Sequence, residues 1–167
     1  MHRLGGGDRR SIGESDEIAR EISSDPKMFA QVFEAIFSSD PAVRMRAADA
    51  VEKATRQRPD FLQPYKRKVL QKAAVIDQQE VQWHVALMLP RLQLTAREKD
   101  LAVSILLDYL ESKSSILRTF AMQGLADLAE QDAQLRGRVI PILEALTANG
   151  SPAMRSRGRR LLARLHR

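Results

Sequence analysis

Apolar residues return every third or fourth position along almost the whole chain. The stretches VRMRAADAV (43–51), VQWHVALML (81–89), LRTFAMQGL (117–125) and MRSRGRRLL (154–162) carry the pattern most plainly. That spacing gathers apolar side chains on one face of an α-helix, so it predicts an all-α chain. The helix starts are legible as well. Asp25-Pro26, Asp40-Pro41 and Ser151-Pro152 each pair a capping oxygen with a proline at the first helical position, where its missing N–H costs nothing. Asp77 with Glu80, and Thr95 with Glu98, have the spacing of a capping box. Asp60, Ser114 or Ser115, and Asp132 are candidate caps for the others. Helices are expected near 15–23, 26–37, 41–57, 61–75, 79–92, 96–111, 115–130, 133–148 and 152–165. The connections are short, which makes neighbours antiparallel. Pro90 is expected to end or kink its helix. Residues 1–13, with Gly5-Gly6-Gly7, read as a flexible lead before one domain over 14–167.

The four stretches align with one another at steps of 38, 36 and 37 residues. Their shared skeleton runs Val43/Val81/Leu117/Met154, Ala47/Val85/Ala121/Gly158, Ala50/Met88/Gly124/Leu161, Val51/Leu89/Leu125/Leu162 and Ala54/Leu92/Leu128/Leu165. Small residues at the second position are expected to let helix backbones approach closely. A partner helix precedes each stretch. One such pair leaves an apolar side open, and the next pair covers it. Each leucine or valine covered contributes roughly 1.5–3 kcal/mol against the entropy of ordering the chain.

The second helices open Val43-Arg44, Leu117-Arg118 and Met154-Arg155, and Pro141 lies midway in the last partner helix. A two-helix unit of this length with those features resembles the HEAT repeat. Asn149 stands where that family favours an aspartate, and Gln82 replaces the arginine of the second repeat. The resemblance implies an α-solenoid of four HEAT-like helix pairs, about 26–58, 60–93, 95–130 and 132–166. Helix 15–23, with Ile18 and Ile22 as its apolar contacts, would cap the N-terminal end. It also implies that the second helices line a concave face. It implies no single activity, because the family is a scaffold put to many uses.

Composition narrows the chemistry. Aromatic residues make up 5% of the 167, so an aliphatic core is expected. No apolar run approaches the 18 or so residues of a membrane span. No secretory signal opens the chain, and a cytoplasmic protein with no membrane partner is expected. There is no cysteine, which excludes disulfides and thiolate chemistry. His2, His84 and His166 are too scattered to build a metal site, and neither a metal nor another cofactor is expected. No nucleophile–base arrangement stands out, so the expectation is a protein that is not an enzyme.

Charge is uneven. Lys and Arg number 27 against 21 Asp and Glu, and six of the arginines, with no acid, fall in 151–167. The first 150 residues are therefore balanced. Around the last helix, Met154, Gly158, Leu161, Leu162 and Leu165 share one side, which makes it a packed helix and not a loose basic arm. Arg159 takes the place of Ala48, Ala86 and Met122, and a charge there suits a solvated end. Arg155 is expected to bond within its repeat, to Asn149. The basic run Tyr65-Lys66-Arg67-Lys68, with Lys72, reads as solvated surface.

Three readings follow. In the first, a protein segment lies along the second helices, held by Arg46, His84, Leu87, Arg91, Phe120 and Gln123. Its motive is that Leu87, Phe120 and the neighbouring Trp83 are apolar where solvated residues are expected. The competing explanation is that the superhelix buries them. In the second, Arg157, Arg160, Arg164 and Arg167 form a phosphate-binding stripe for nucleic acid; otherwise they are only a solubilising cap. The third is an enzyme resembling the HEAT-like alkylpurine DNA glycosylases. Those are longer and place aromatic residues and an acid in a basic cleft, so no catalytic residue is assigned by that likeness.

Overall fold

The computed structural model describes residues 15–167; the expected lead over 1–13 lies outside them. Nine α-helices occur among the described residues, and no strand does. They are α1 Ser15–Ile22, α2 Pro26–Glu34, α3 Pro41–Gln57, α4 Lys66–Gln71, α5 Gln79–Met88, α6 Ala96–Leu110, α7 Ser115–Glu130, α8 Ala133–Asn149 and α9 Pro152–Leu165. Short 3-10 turns extend α2 over Ala35–Phe37 and α5 over Leu89–Arg91. The second of these contains Pro90, as expected of a residue that cannot continue the α-helical ladder.

The caps explain where most helices begin. Asp25 accepts from the amides of Lys27 and Met28, Asp40 from Ala42, Ser114 from Leu117, Asp132 from Gln134 and Leu135, and Ser151 from Met154. Thr95 and Glu98 close a full capping box. Two expected caps are not used. The residue ahead of α5 is Gln78, not Asp77, and its side chain does not cap the helix. Asp60 falls inside a 3-10 run, Pro59–Tyr65. That run replaces the first half of an expected helix because Pro64 lacks a donor and its ring crowds the preceding turn. Pro141, by contrast, sits within a continuous α8.

The helices form two compact units that divide between Gln93 and Leu94, at the junction of the second and third repeats. In the first unit α3 is central and packs against α1, α2 and α5. In the second, α7 packs against α6, α8 and α9, and α8 packs against α9. The apolar skeleton lies inside both, with only Val43 and Leu162 half-buried. The close approach expected at Gly158 is present. A Cβ added there would lie 1.9 Å from Thr147 Oγ1 on α8 and 3.1 Å from Met122 Cε on α7.

The core is not aliphatic throughout. Phe29, Phe33, Phe37, Phe61 and Tyr65 gather in the first unit, with Phe33 and Tyr65 centroids 4.3 Å apart and Phe29 and Phe61 at 5.5 Å. Five of the eight aromatic residues thus share one cluster, and composition spread evenly along the chain hides that clustering.

Candidate protein-binding surface

In the first unit, the outward row of α3 is largely occupied by its own neighbours. Ser15 at the start of α1 donates to Asp49 Oδ2 at 2.5 Å. Lys53 Nζ reaches Asp49 at 2.7 Å and also pairs with Asp16 of α1. The buried Glu52 carboxylate takes Arg56 through Nε at 3.0 Å and Nη2 at 2.6 Å, and Arg91 Nη2 at 2.5 Å. Arg91 Nη1 donates to the Glu52 carbonyl at 2.5 Å and to Thr55 Oγ1 at 2.8 Å. Burial would raise the Glu52 pKa, but the hydrogen bonds from Arg56 and Arg91 outweigh it and hold the carboxyl below its ordinary range.

His84 of α5 lies against the same cluster, with Nε2 3.8 Å from Asp49 Oδ1. Burial lowers its pKa, Asp49 and Glu52 pull the other way, and Lys53 and Arg56 add to the lowering. The imidazole is therefore neutral at pH 7. Its Nδ1 is buried without a hydrogen-bond partner among the described residues.

In the second unit, the matching rows of α7 and α9 are stitched together. Arg157 Nη1 donates to Gln123 Oε1 at 2.8 Å, and Gln123 Nε2 donates to Asp127 Oδ1 at 2.7 Å. Arg164 reaches Asp127 Oδ1 at 2.6 Å and Glu130 Oε1 at 2.7 Å. The Arg157 guanidinium lies over the Phe120 ring, 5.7 Å from its centroid. Such a cation–π contact contributes about 0.5–1 kcal/mol where it is exposed. Burial and the nearby Arg160 lower the Arg157 pKa, but an arginine stays charged throughout the physiological range. Phe120 is half-buried and Arg160 is exposed.

Several residues expected to touch a partner are therefore committed to the fold. Arg46 is 1% exposed and cannot line an open surface, which removes it as a contact. Arg91 is turned inward onto Glu52 and Thr55. Gln123 is shared between Arg157 and Asp127. Leu87, His84 and Phe120 keep partial exposure. The arginine stripe is divided. Arg157 and Arg164 have structural partners on α7, and only Arg160 and Arg167 of the four are exposed. Asn149 Nδ2 donates to the carbonyl of Ala145, and Arg155 is exposed, with no hydrogen bond to Asn149 among the described residues. The missed residues are Glu52 and Asp127, each the acceptor for an arginine 37 or 39 positions away. The repeat length is the signal that could have found them, because it brings residues one repeat apart side by side.

No group of three His, Cys, Asp or Glu side chains suited to a metal occurs among the described residues. No helix among them is long and apolar enough to cross a membrane.

No curated protein sequence matches the chain. An engineered protein whose crystal structure comes from the Northeast Structural Genomics Consortium is similar in fold: the likeness covers 99% of this chain and 77% of that one, with a TM-score of 0.61 and 16% identity. The HEAT repeat domain family matches residues 7–165. Paired helices, a skeleton that returns once per repeat, arginine links of the same period and that match lead to one conclusion: the chain belongs to the HEAT repeat domain family and is an all-α, solenoid-class repeat protein.

Proposed function

We propose that this protein is a non-enzymatic interaction module that binds a segment of a protein partner on the α7/α9 face of its second unit. Phe120 is the apolar anchor, and Arg157, Gln123 and Arg160 surround it. The observation that carries the reading is a partly exposed aromatic ring held in place by a guanidinium that is itself fixed by Gln123. Aromatic and arginine side chains presented in this way are common anchors of protein interfaces. On α5 of the first unit, Leu87 and His84 form a smaller patch of the same kind. A repeat scaffold of the HEAT type suits such a role and a cytoplasmic setting.

The test is affinity capture with the wild-type chain and with Phe120→Ala, with and without nuclease. The expected result is a nuclease-resistant protein partner retained by the wild type and lost by the variant, whose helical circular dichroism is unchanged. An identical set of retained proteins for both chains overturns the assignment.

A further inference from the structure

His84 is the only histidine among the described residues of the first unit. It is therefore the side chain there whose ordinary ionisation falls between about pH 5 and 8. Its helix, α5, buries Val81, Val85, Ala86 and Met88. The helix packs on α3 and on the turns Ala73–Val75 and Leu89–Arg91. The His84 side chain is only 13% exposed, so a charge on it would be largely cut off from water.

The groups that face the ring are already matched. From α3, Asp49 Oδ2 accepts from Ser15 and Lys53, and Lys53 also pairs with Asp16 of α1. Glu52 accepts from Arg56 and from Arg91 of the turn Leu89–Arg91. The turn Ala73–Val75 carries no titratable side chain, and on α5 itself Glu80 lies one turn earlier, partly exposed. A further positive charge thus finds no carboxylate on α3 that lacks a cation. The ring nitrogens add a second constraint. Nε2 lies 3.8 Å from Asp49 Oδ1, so the neutral ring is best accommodated with its hydrogen there. Nδ1 is buried without a partner among the described residues. A second proton must go to Nδ1, where it creates a buried N–H with no acceptor. Water would satisfy both the charge and the new donor, and it reaches the ring when α5 moves off α3.

We propose that His84 is an acid-sensitive latch: proton uptake at mildly acidic pH lifts α5 from α3 and loosens the first unit, while the second unit, whose one histidine, His166, is exposed, keeps its fold. Burial holds the folded value of His84 below the ordinary 6.5, so the open form takes up the proton first. The latch is fully closed above about pH 6.5 and weakens as pH falls, until the closed form binds the proton as well. That range lies above the one set by the carboxylates. The latch uses none of the α7/α9 residues proposed above as a binding face.

The test is amide hydrogen exchange of the full chain at about pH 7.5 and about pH 5.5, corrected for intrinsic exchange. On acidification, opening at the amides of Val85 and Met88 should rise severalfold, with about tenfold as the ceiling for one proton over this interval. Opening at Leu161 and Leu165 of α9 should change by less than about twofold. His84→Gln stays neutral throughout and should abolish the rise in α5. The ring nitrogen chemical shifts of the wild-type chain give a readout that needs no variant, and the closed form of His84 should titrate below about 6.5. Titration at or above that value, a rise that persists in His84→Gln, or an equal rise in both units overturns the proposal.

Discussion

Two glycines in the second unit should respond in opposite ways to a single methyl group. At Gly158 a Cβ would strike Thr147, whose hydroxyl is held by the Leu143 carbonyl at 2.5 Å. Gly158→Ala should therefore destabilise the fold by roughly 1–3 kcal/mol, read from urea unfolding. Gly137 lies inside α8 with nothing within 4 Å of the added carbon. Gly137→Ala should stabilise by about 0.5–1 kcal/mol through helix propensity alone. Glu52 sets an acid limit on stability. Its carboxyl is held below the unfolded value, so its contribution is complete above about pH 4.3 and disappears as pH falls through the folded value. Glu52→Gln should cost roughly 2–3 kcal/mol at pH 7, a figure kept modest by the exposure of Arg56, and should flatten the loss of stability below about pH 4.3. The skeleton glycine was legible in the sequence because backbone approach leaves a mark at a fixed position. The partners of Glu52 were not. A long side chain chooses among acceptors set by the register of a neighbouring helix, and Arg91, expected to face outward, instead closes on a carboxylate 39 residues earlier in the chain.

At the scale of elements, helix starts were read almost residue for residue wherever a proline or a capping box marked them. Those signals act within four residues and need no tertiary context. Thr95→Ala removes one half of a working box and should destabilise by about 1 kcal/mol. Asp77→Ala, at an equally plausible signal that the structure leaves unused, should change stability by less than about 0.5 kcal/mol. Comparing the two by thermal unfolding separates a cap in use from a cap in pattern only. The difference at Asp77 has a tertiary origin. Gln78 is drawn into bonds with Arg44 Nε and the Pro41 carbonyl, and that attachment fixes where α5 begins. The broken helix at 59–75 differs from the expected helix over 61–75 for another reason: the apolar spacing favours one continuous helix, and the local geometry of Pro64 prevails over it.

For the whole molecule, the excess charge in 151–167 gives a smaller electrostatic footprint than the sequence suggests. Two of the four stripe arginines are engaged with α7, and Arg164 is matched by Asp127 and Glu130. Two remaining phosphate contacts imply that duplex DNA affinity falls only about tenfold between 50 and 200 mM salt, against about a hundredfold for four. A filter-binding series at several salt concentrations checks this slope. The legible part of the surface was the apolar one, since Phe120 keeps partial exposure; the charged part depended on pairings that cross between helices.

Arg159 has one more consequence. Ala48, Ala86 and Met122, its counterparts in the earlier repeats, are all fully buried, whereas Arg159 is exposed. An apolar residue at that point would leave oily surface on the outside of α9, and adhesion of such a patch to a pocket elsewhere on an identical molecule lengthens without closing into a ring unless the rotation happens to fit. An exposed guanidinium makes that adhesion costly, because its charge would have to be stripped of water.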